Sequence, residues 1–180
     1  MDTEVKTALI ATIADITTLE VDAIVNAANE QLAAGGGVCG AIFRAAGPRL
    51  AAACARLGGC PTGEARLTPG FDLPATYIIH AVGPVWRGGT HGEAQLLASA
   101  YDHSLKLAAE HDVRSIAFPA ISTGIYGFPL QPATEIAVDT VRRMTNRGST
   151  LQKVIFACFG PEVLAVYRQA GIHESREQIR

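Results

Sequence analysis

Two periods of hydrophobic spacing run through this chain, and the switches between them mark its elements. Residues 7–14 are apolar with partial alternation, and residues 22–26 form a short apolar run bounded by polar positions; both read as strands. Residues 76–82, centred on Ile78 and Ile79 and closed by Gly83-Pro84, predict a central strand. Residues 115–121 and 154–159 predict two more, and residues 64–69 an edge strand, because Pro69 has no N–H to give a ladder. Between these runs the spacing changes to three and four. Ala41, Ile42, Ala45, Ala46, Leu50, Cys54 and Leu57 predict one helix over residues 38–57. Further helices are expected over 93–111, 133–146 and 161–170, and the polar tail after Ile172 is expected to fray.

Strands separated by helices imply right-handed crossovers and a largely parallel sheet with helices on both faces. No linker or repeat divides the chain, so a single domain over 1–180 is expected. In such sheets ligands bind beyond the carboxyl ends of the strands. Three polar or glycine-rich segments directly follow strands: Asp15-Ile16, residues 26–37, and residues 122–128. They are expected to converge on one cleft. Within the second, Gly35-Gly36-Gly37 leads into a helix start, where unpaired N–H groups and the positive dipole end suit an anion, most simply a phosphate. A glycine triplet also suits a plain surface turn, and the spacing is neither a P-loop nor a dinucleotide fingerprint. Both readings stay open on this stretch alone.

Composition narrows the classes. Hydrophobic residues make up 48% and charged residues 18%, which argues for a packed globule rather than disorder. No apolar run approaches the ~20 residues of a membrane helix, and the opening Met1-Asp2-Thr3-Glu4-Val5-Lys6 lacks the pattern of a signal peptide. A cytoplasmic protein with no membrane partner is expected. A net charge of −2 without a Lys/Arg cluster argues against an extended nucleic-acid surface. It leaves room for a small phosphorylated ligand, since backbone N–H groups hold phosphate without basic side chains. Cys39, Cys54, Cys60 and Cys158 show no metal-ligand or redox-pair spacing, so reduced, mostly buried thiols, no metal and no cofactor are expected.

Several motifs recur in one order. Asn26-Ala27-Ala28-Asn29 precedes Gly35-Gly36-Gly37-Val38; then come Tyr77-Ile78-Ile79-His80-Ala81-Val82-Gly83-Pro84 and Ser122-Thr123-Gly124-Ile125-Tyr126-Gly127-Phe128-Pro129. Together they resemble the macrodomain family, over nearly the whole chain. The resemblance implies a three-layer α/β/α sandwich around a mixed, largely parallel sheet of about six strands. It also implies ADP-ribose or O-acetyl-ADP-ribose as ligand, with mono-ADP-ribosylated proteins as further partners. On this resemblance Asp15 accepts from the adenine amino group, with Ile16 beside it, although Asp15 also suits a turn cap. Phe159 packs on adenine, or else is plain core. The pyrophosphate lies between Gly37-Val38-Cys39-Gly40-Ala41 and Ser122-Thr123-Gly124-Ile125-Tyr126. Asn29 meets the distal ribose hydroxyls and Asn26 braces the loop. His80 reads as a hydrogen-bonded core histidine, and Glu30 as solvated surface.

Active relatives of the MacroD type, which hydrolyse ADP-ribosyl esters, carry aspartate at the position of Cys39 and commonly histidine at that of Phe43. A carboxylate there orients or deprotonates water, and phenylalanine does neither. Cys39 therefore stands at a catalytic position, but the residues support a substrate-assisted attack organised by Asn29 better than thiol chemistry. Two classes follow: an ADP-ribosyl ester hydrolase, acting on O-acetyl-ADP-ribose or modified Asp/Glu, and a non-catalytic ADP-ribose reader.

Overall fold

Alternation along each strand sorts the core into two layers. In the computed structural model, which describes residues 6–173, Ile24, Ile78, Ala117 and Ile155 face one side of the sheet. Their neighbours Val25, Ile79, Phe118 and Phe156 face the other, as period-two side chains must. Six strands carry this pattern: β1 (Ala8–Ile13), β2 (Ala23–Ala27), β3 (Ala65–Pro69), β4 (Tyr77–Ala81), β5 (Ser115–Phe118) and β6 (Lys153–Cys158). Their spatial order is β1-β6-β5-β2-β4-β3. All pairs are parallel except β3–β4, and β3 ends the order, so Pro69 does lie on an edge strand.

Helices α1 (Gly37–Ala46) and α2 (Arg49–Leu57) cover one face, through Ile42, Ala46, Leu50 and Cys54. Helices α3 (Glu93–Glu110), α4 (Leu130–Thr145) and α5 (Pro161–Gln169) cover the other, through Leu97, Tyr101, Ala137, Val141, Leu164 and Tyr167. The result is the three-layer α/β/α sandwich. Each fully buried Ile or Leu in these layers contributes about 1.5–3 kcal/mol, which is why both faces must be covered. No helix among the described residues is long and apolar enough to cross a membrane.

One expected element is corrected. The single helix over 38–57 is two helices, broken at Gly47-Pro48. Pro48 supplies no N–H and pushes its predecessor out of the helical region, and Gly47 takes φ +85°, where a side chain would also run into the Asp72 carboxylate. The Gly-Pro pair itself was the available signal. The fraying expected beyond Ile172 concerns residues that, from 174 onward, lie outside the described ones.

Candidate functional site

At the carboxyl ends of β1, β2, β5 and β6 the connecting loops enclose a cleft of about 960 Å³. All three segments expected to converge do so. Asp15, Ile16, Asn29, Gly37, Val38, Cys39, Ala41, Ser122, Thr123, Gly124, Ile125, Tyr126 and Phe159 line it. Asn26 and Gly40 do not line it: both are buried in the wall behind it. Gly40 is needed there for a different reason from the one expected. A Cβ on it would lie 2.5 Å from the Gly35 carbonyl oxygen, so the glycine lets the loop fold back onto the helix start.

Two loops face each other over the cleft. In the first, the bond from Gly40 N–H to the Gly36 carbonyl opens helix α1, leaving Gly37, Val38 and Cys39 N–H without acceptors in the helix. In the second, Gly127 N–H bonds to Gly124 O and Phe128 N–H to Ser122 O, while the N–H groups of Gly124, Ile125 and Tyr126 donate to no backbone carbonyl among the described residues. A Cβ on Gly36 would lie 3.4 Å from Ile125 Cδ1, so the loops nearly touch above the cavity. Ser122 is held at φ 68°, and its buried hydroxyl has no hydrogen-bond partner among the described residues. A Cβ on Gly83 would collide with that hydroxyl, so the glycine of Gly83-Pro84 makes the room.

At one end, Asp15 Oδ1 accepts from Thr17 N–H (3.0 Å) and the Thr17 hydroxyl (2.7 Å), capping the short turn Ile16–Thr18. Both bonds use the same oxygen. Oδ2 therefore remains available as an acceptor, and the turn-cap and ligand readings of Asp15 are compatible. Phe159 is 95% exposed beside it, which excludes the plain-core alternative. Ile125 is 86% exposed on the second loop. At the other end Asn29 holds Ala33 with both ends of its amide, donating to Ala33 O at 2.9 Å and accepting from Ala33 N–H at 3.0 Å. One amide hydrogen and one lone pair remain for a ligand. Glu30 takes the Thr62 hydroxyl at 2.5 Å.

Below the first loop a chain of polar side chains lies between the sheet and helices α1 and α2. Asn26 and His80 are register partners on β2 and β4, so their side chains meet on the α1/α2 face. Asn26 Nδ2 stands 3.1 Å from His80 Nδ1, and His80 Nε2 stands 2.9 Å from Thr68 Oγ1. An amide nitrogen only donates, so Nδ1 accepts and Nε2 carries the proton toward Thr68. Burial pushes the imidazole down to about 4, keeping it neutral. The Cys54 thiol, 3.8 Å from Nε2, is raised to about 11 by burial, with Cys39 adding to it. His80 is thus the hydrogen-bonded core histidine that was expected.

Among the described residues no group of three or more His, Cys, Asp or Glu side chains could hold a metal ion. All four cysteines are buried free thiols.

A Macro domain family model matches residues 25–137. The chain belongs to the macrodomain family. It is 63% identical over 157 residues to a macro domain-containing protein of Chlorobaculum tepidum, spanning 87% of this chain and 91% of that one. It is 58% identical over 159 residues to a Klebsiella pneumoniae protein named O-acetyl-ADP-ribose deacetylase, spanning 86% and 91%. In three dimensions it resembles the Oceanobacillus iheyensis macrodomain with ADP, at a TM-score of 0.87 and 37% identity over 93% and 91% of the two chains. It likewise resembles the Trypanosoma brucei macrodomain in complex with ADP-ribose, at a TM-score of 0.85 and 44% identity over 91% and 68%.

One residue of this macrodomain had no sequence signal as part of the site's support. Glu93, at the start of α3, is buried, and its carboxylate accepts from Arg87 N–H (3.0 Å), Gly89 N–H (2.7 Å) and His91 N–H (2.6 Å). Burial raises its pKa, but these backbone bonds outweigh that and bring it down to about 2. The cinched loop of residues 85–92 carries Trp86, whose N–H holds Tyr126 O at 2.8 Å and whose ring packs on Phe128 with centroids 4.7 Å apart. Glu93 thereby supports the second cleft loop from behind.

Proposed function

We propose that the chain, taken as one domain over 1–180 and working in the cytoplasm, binds ADP-ribose in this cleft and hydrolyses ADP-ribosyl esters, O-acetyl-ADP-ribose foremost. The observation that carries the reading is the pair of facing loops with three unpaired N–H groups each, a cradle that suits a pyrophosphate. The ligand runs from Asp15 and Phe159 at the adenine end to Asn29 at the distal ribose. Asp15 Oδ2 accepts from the adenine amino group, and Phe159 lies on the ring. The phosphates sit between residues 37–41 and 122–126, and the Ser122 hydroxyl finds there the partner it lacks. The deacetylase name of a relative at 58% identity supports the ester class.

The reaction needs one water, held between Asn29 and a phosphate oxygen. Its oxygen bonds to the acetyl carbonyl carbon as the ester bond to the ribose oxygen breaks. One water proton passes to the phosphate oxygen and then to the leaving ribose oxygen; the other leaves with the acetic acid, which ionises in solution, giving acetate and ADP-ribose. The same geometry serves mono-ADP-ribosylated Asp or Glu, the modified side chain replacing acetate. A missing general base typically costs about 10²–10⁴-fold, so turnover is slow rather than absent.

The specific observation favouring a reader is the pair Cys39 and Phe43, one tied up in the wall and the other packed against the α1/α2 core. Incubation with O-acetyl-ADP-ribose and with an ester-linked mono-ADP-ribosylated protein separates the two. Released ADP-ribose that disappears in Asn29→Ala is the expected result; tight binding without release from either substrate establishes the reader.

A further inference from the structure

Cys39 lies at the junction of the buried polar chain and the cleft. Its thiol sits 3.7 Å from Asn26 Nδ2, which donates to it, and 3.6 Å from Ala33 O, to which it donates. Ala33 is the residue that Asn29 clasps with both ends of its amide. A Cβ on Gly35 would lie 3.6 Å from Asn29 Nδ2 and 3.7 Å from Cys39 Sγ, so the two side chains share one spot under the glycine loop. The connection therefore runs unbroken from Thr68 and His80 through Asn26 and Cys39 to Ala33 and Asn29. Each group does what its chemistry permits. The Asn26 amide spends one hydrogen on His80 and one on sulfur, and the thiol, both acceptor and donor, passes the link on to a carbonyl. A carboxylate at position 39 accepts from Asn26 but has no hydrogen to give Ala33.

We propose that Cys39 is a positioning residue: its thiol fixes Ala33, and through Ala33 the Asn29 amide, so that recognition of the distal ribose rests on a sulfur that does no nucleophilic work. The inference rests on the ADP-ribose reading of the cleft and assigns a task to the residue that departs from the family pattern. Its signature is selectivity between ligands. ADP carries the adenine and both phosphates but no distal ribose, so a disturbed Asn29 affects ADP-ribose more than ADP.

Calorimetry with ADP and ADP-ribose on the wild type, Cys39→Ala and Cys39→Ser tests it. In Cys39→Ala the preference for ADP-ribose over ADP falls about three- to tenfold, the scale of one or two lost neutral hydrogen bonds. Cys39→Ser, whose hydroxyl also accepts and donates, restores most of the preference, and no thiolate chemistry survives in it. The Asn29 side-chain amide resonances shift in the alanine variant and return toward their original positions in the serine variant. Equal weakening toward both ligands, or an unchanged preference in Cys39→Ala, overturns the proposal while the binding reading stands. A wild-type protein that binds neither ligand overturns the binding reading and this inference together. Should Cys39→Ala fail to fold, the proposal is judged on Cys39→Ser and on Asn26→Asp. The latter removes the amide hydrogens that reach the sulfur and is expected to lower the same preference; if it leaves the preference intact, the link through sulfur is refuted.

Discussion

The two loops that face each other over the cleft offer the same N–H groups and are held by different means. The glycine loop rests on uncharged side chains packed between helix α1 and the sheet: Cys39, Asn26, a neutral His80 and Thr68. The loop of residues 122–128 rests on backbone turns, on Trp86 and, behind Trp86, on the ionised Glu93. Each solution suits its place. A buried chain under the sheet excludes charge, since an unpaired ion there is costly to desolvate. A carboxylate at a helix start meets N–H groups that stabilise it. On the proposed reading the site would hold an anion with backbone, while Glu93, the one buried carboxylate among the described residues, is spent on holding a neighbouring loop.

The largest expected effect breaks the first loop alone. Gly40→Ala puts a Cβ 2.5 Å from the Gly35 carbonyl oxygen, and backbone on both sides cannot yield cheaply. Overpacking of this kind costs about 1–3 kcal/mol or more, so ADP-ribose affinity should fall about hundredfold in a protein whose second loop is intact. Calorimetry measures the first part; unchanged Trp86 emission checks the second. Normal affinity in this variant would mean that the glycine loop is not the phosphate cradle.

Acid separates the two supports. His80 has its folded pKa lowered from 6.5 to about 4, so the unfolded chain binds its proton first, and stability is lost as pH falls from 6.5 toward 4. Glu93 is lowered from 4.5 to about 2, so the stability it supplies is complete above 4.5 and is lost as pH falls toward 2. Urea titrations across pH should show two windows of falling stability. His80→Gln should flatten the upper window and Glu93→Gln the lower. The chain has one tryptophan, so Trp86 fluorescence should change in Glu93→Gln and stay as wild type in His80→Gln. A single window untouched by either substitution would refute the separation.

At the adenine end the effect should be about tenfold, one hydrogen bond to a charged acceptor. Asp15→Ala should lose the proposed adenine contact together with the Thr17 cap. Asp15→Asn keeps an oxygen for Thr17 and turns an NH2 group toward the adenine amino group, donor against donor. Loss of affinity in both variants, with near-normal melting in Asp15→Asn, assigns the effect to the ligand. An Asp15→Asn protein that binds ADP-ribose normally would leave Asp15 only its cap.

Much of this was legible in the chain because strand alternation and loop composition are local. Ile78 beside Ile79 predicts a central strand, the alternation of strands with helices predicts a sheet covered on both faces, and the three post-strand segments predict one cleft. The break at Gly47-Pro48 was also local, outweighed by the apolar spacing that continues through it. What was not legible is what depends on register. Asn26 meets His80 only because β2 and β4 pair in parallel with those residues opposite. Glu93 reads as an ordinary first-turn acid until the loop of residues 85–92 folds back over it. That Cys39 reaches Ala33 depends on a glycine loop closing on itself, which spacing along a sequence does not encode.

The smallest expected effect sharpens the comparison most. Gly124 and Gly37 both stand in the proposed phosphate cradle, where close approach of a phosphate is one reason for either to be glycine. The structure separates them. Gly37 holds φ +57°, so any side chain there is strained before a ligand arrives. Gly124 lies outside that region, and a Cβ on it meets nothing within 4 Å, so the folded protein tolerates alanine. Removing the freedom of a glycine from the unfolded chain should make Gly124→Ala more stable by about 0.4–1 kcal/mol. Its Cβ then stands beside N–H groups that the ligand must approach, so ADP-ribose affinity should drop while the melting temperature rises slightly. Opposite signs in one variant distinguish a glycine kept for a ligand from one kept for the backbone. If stability and affinity fall together, Gly124 belongs with Gly37, and the second loop is as constrained by its own fold as the first.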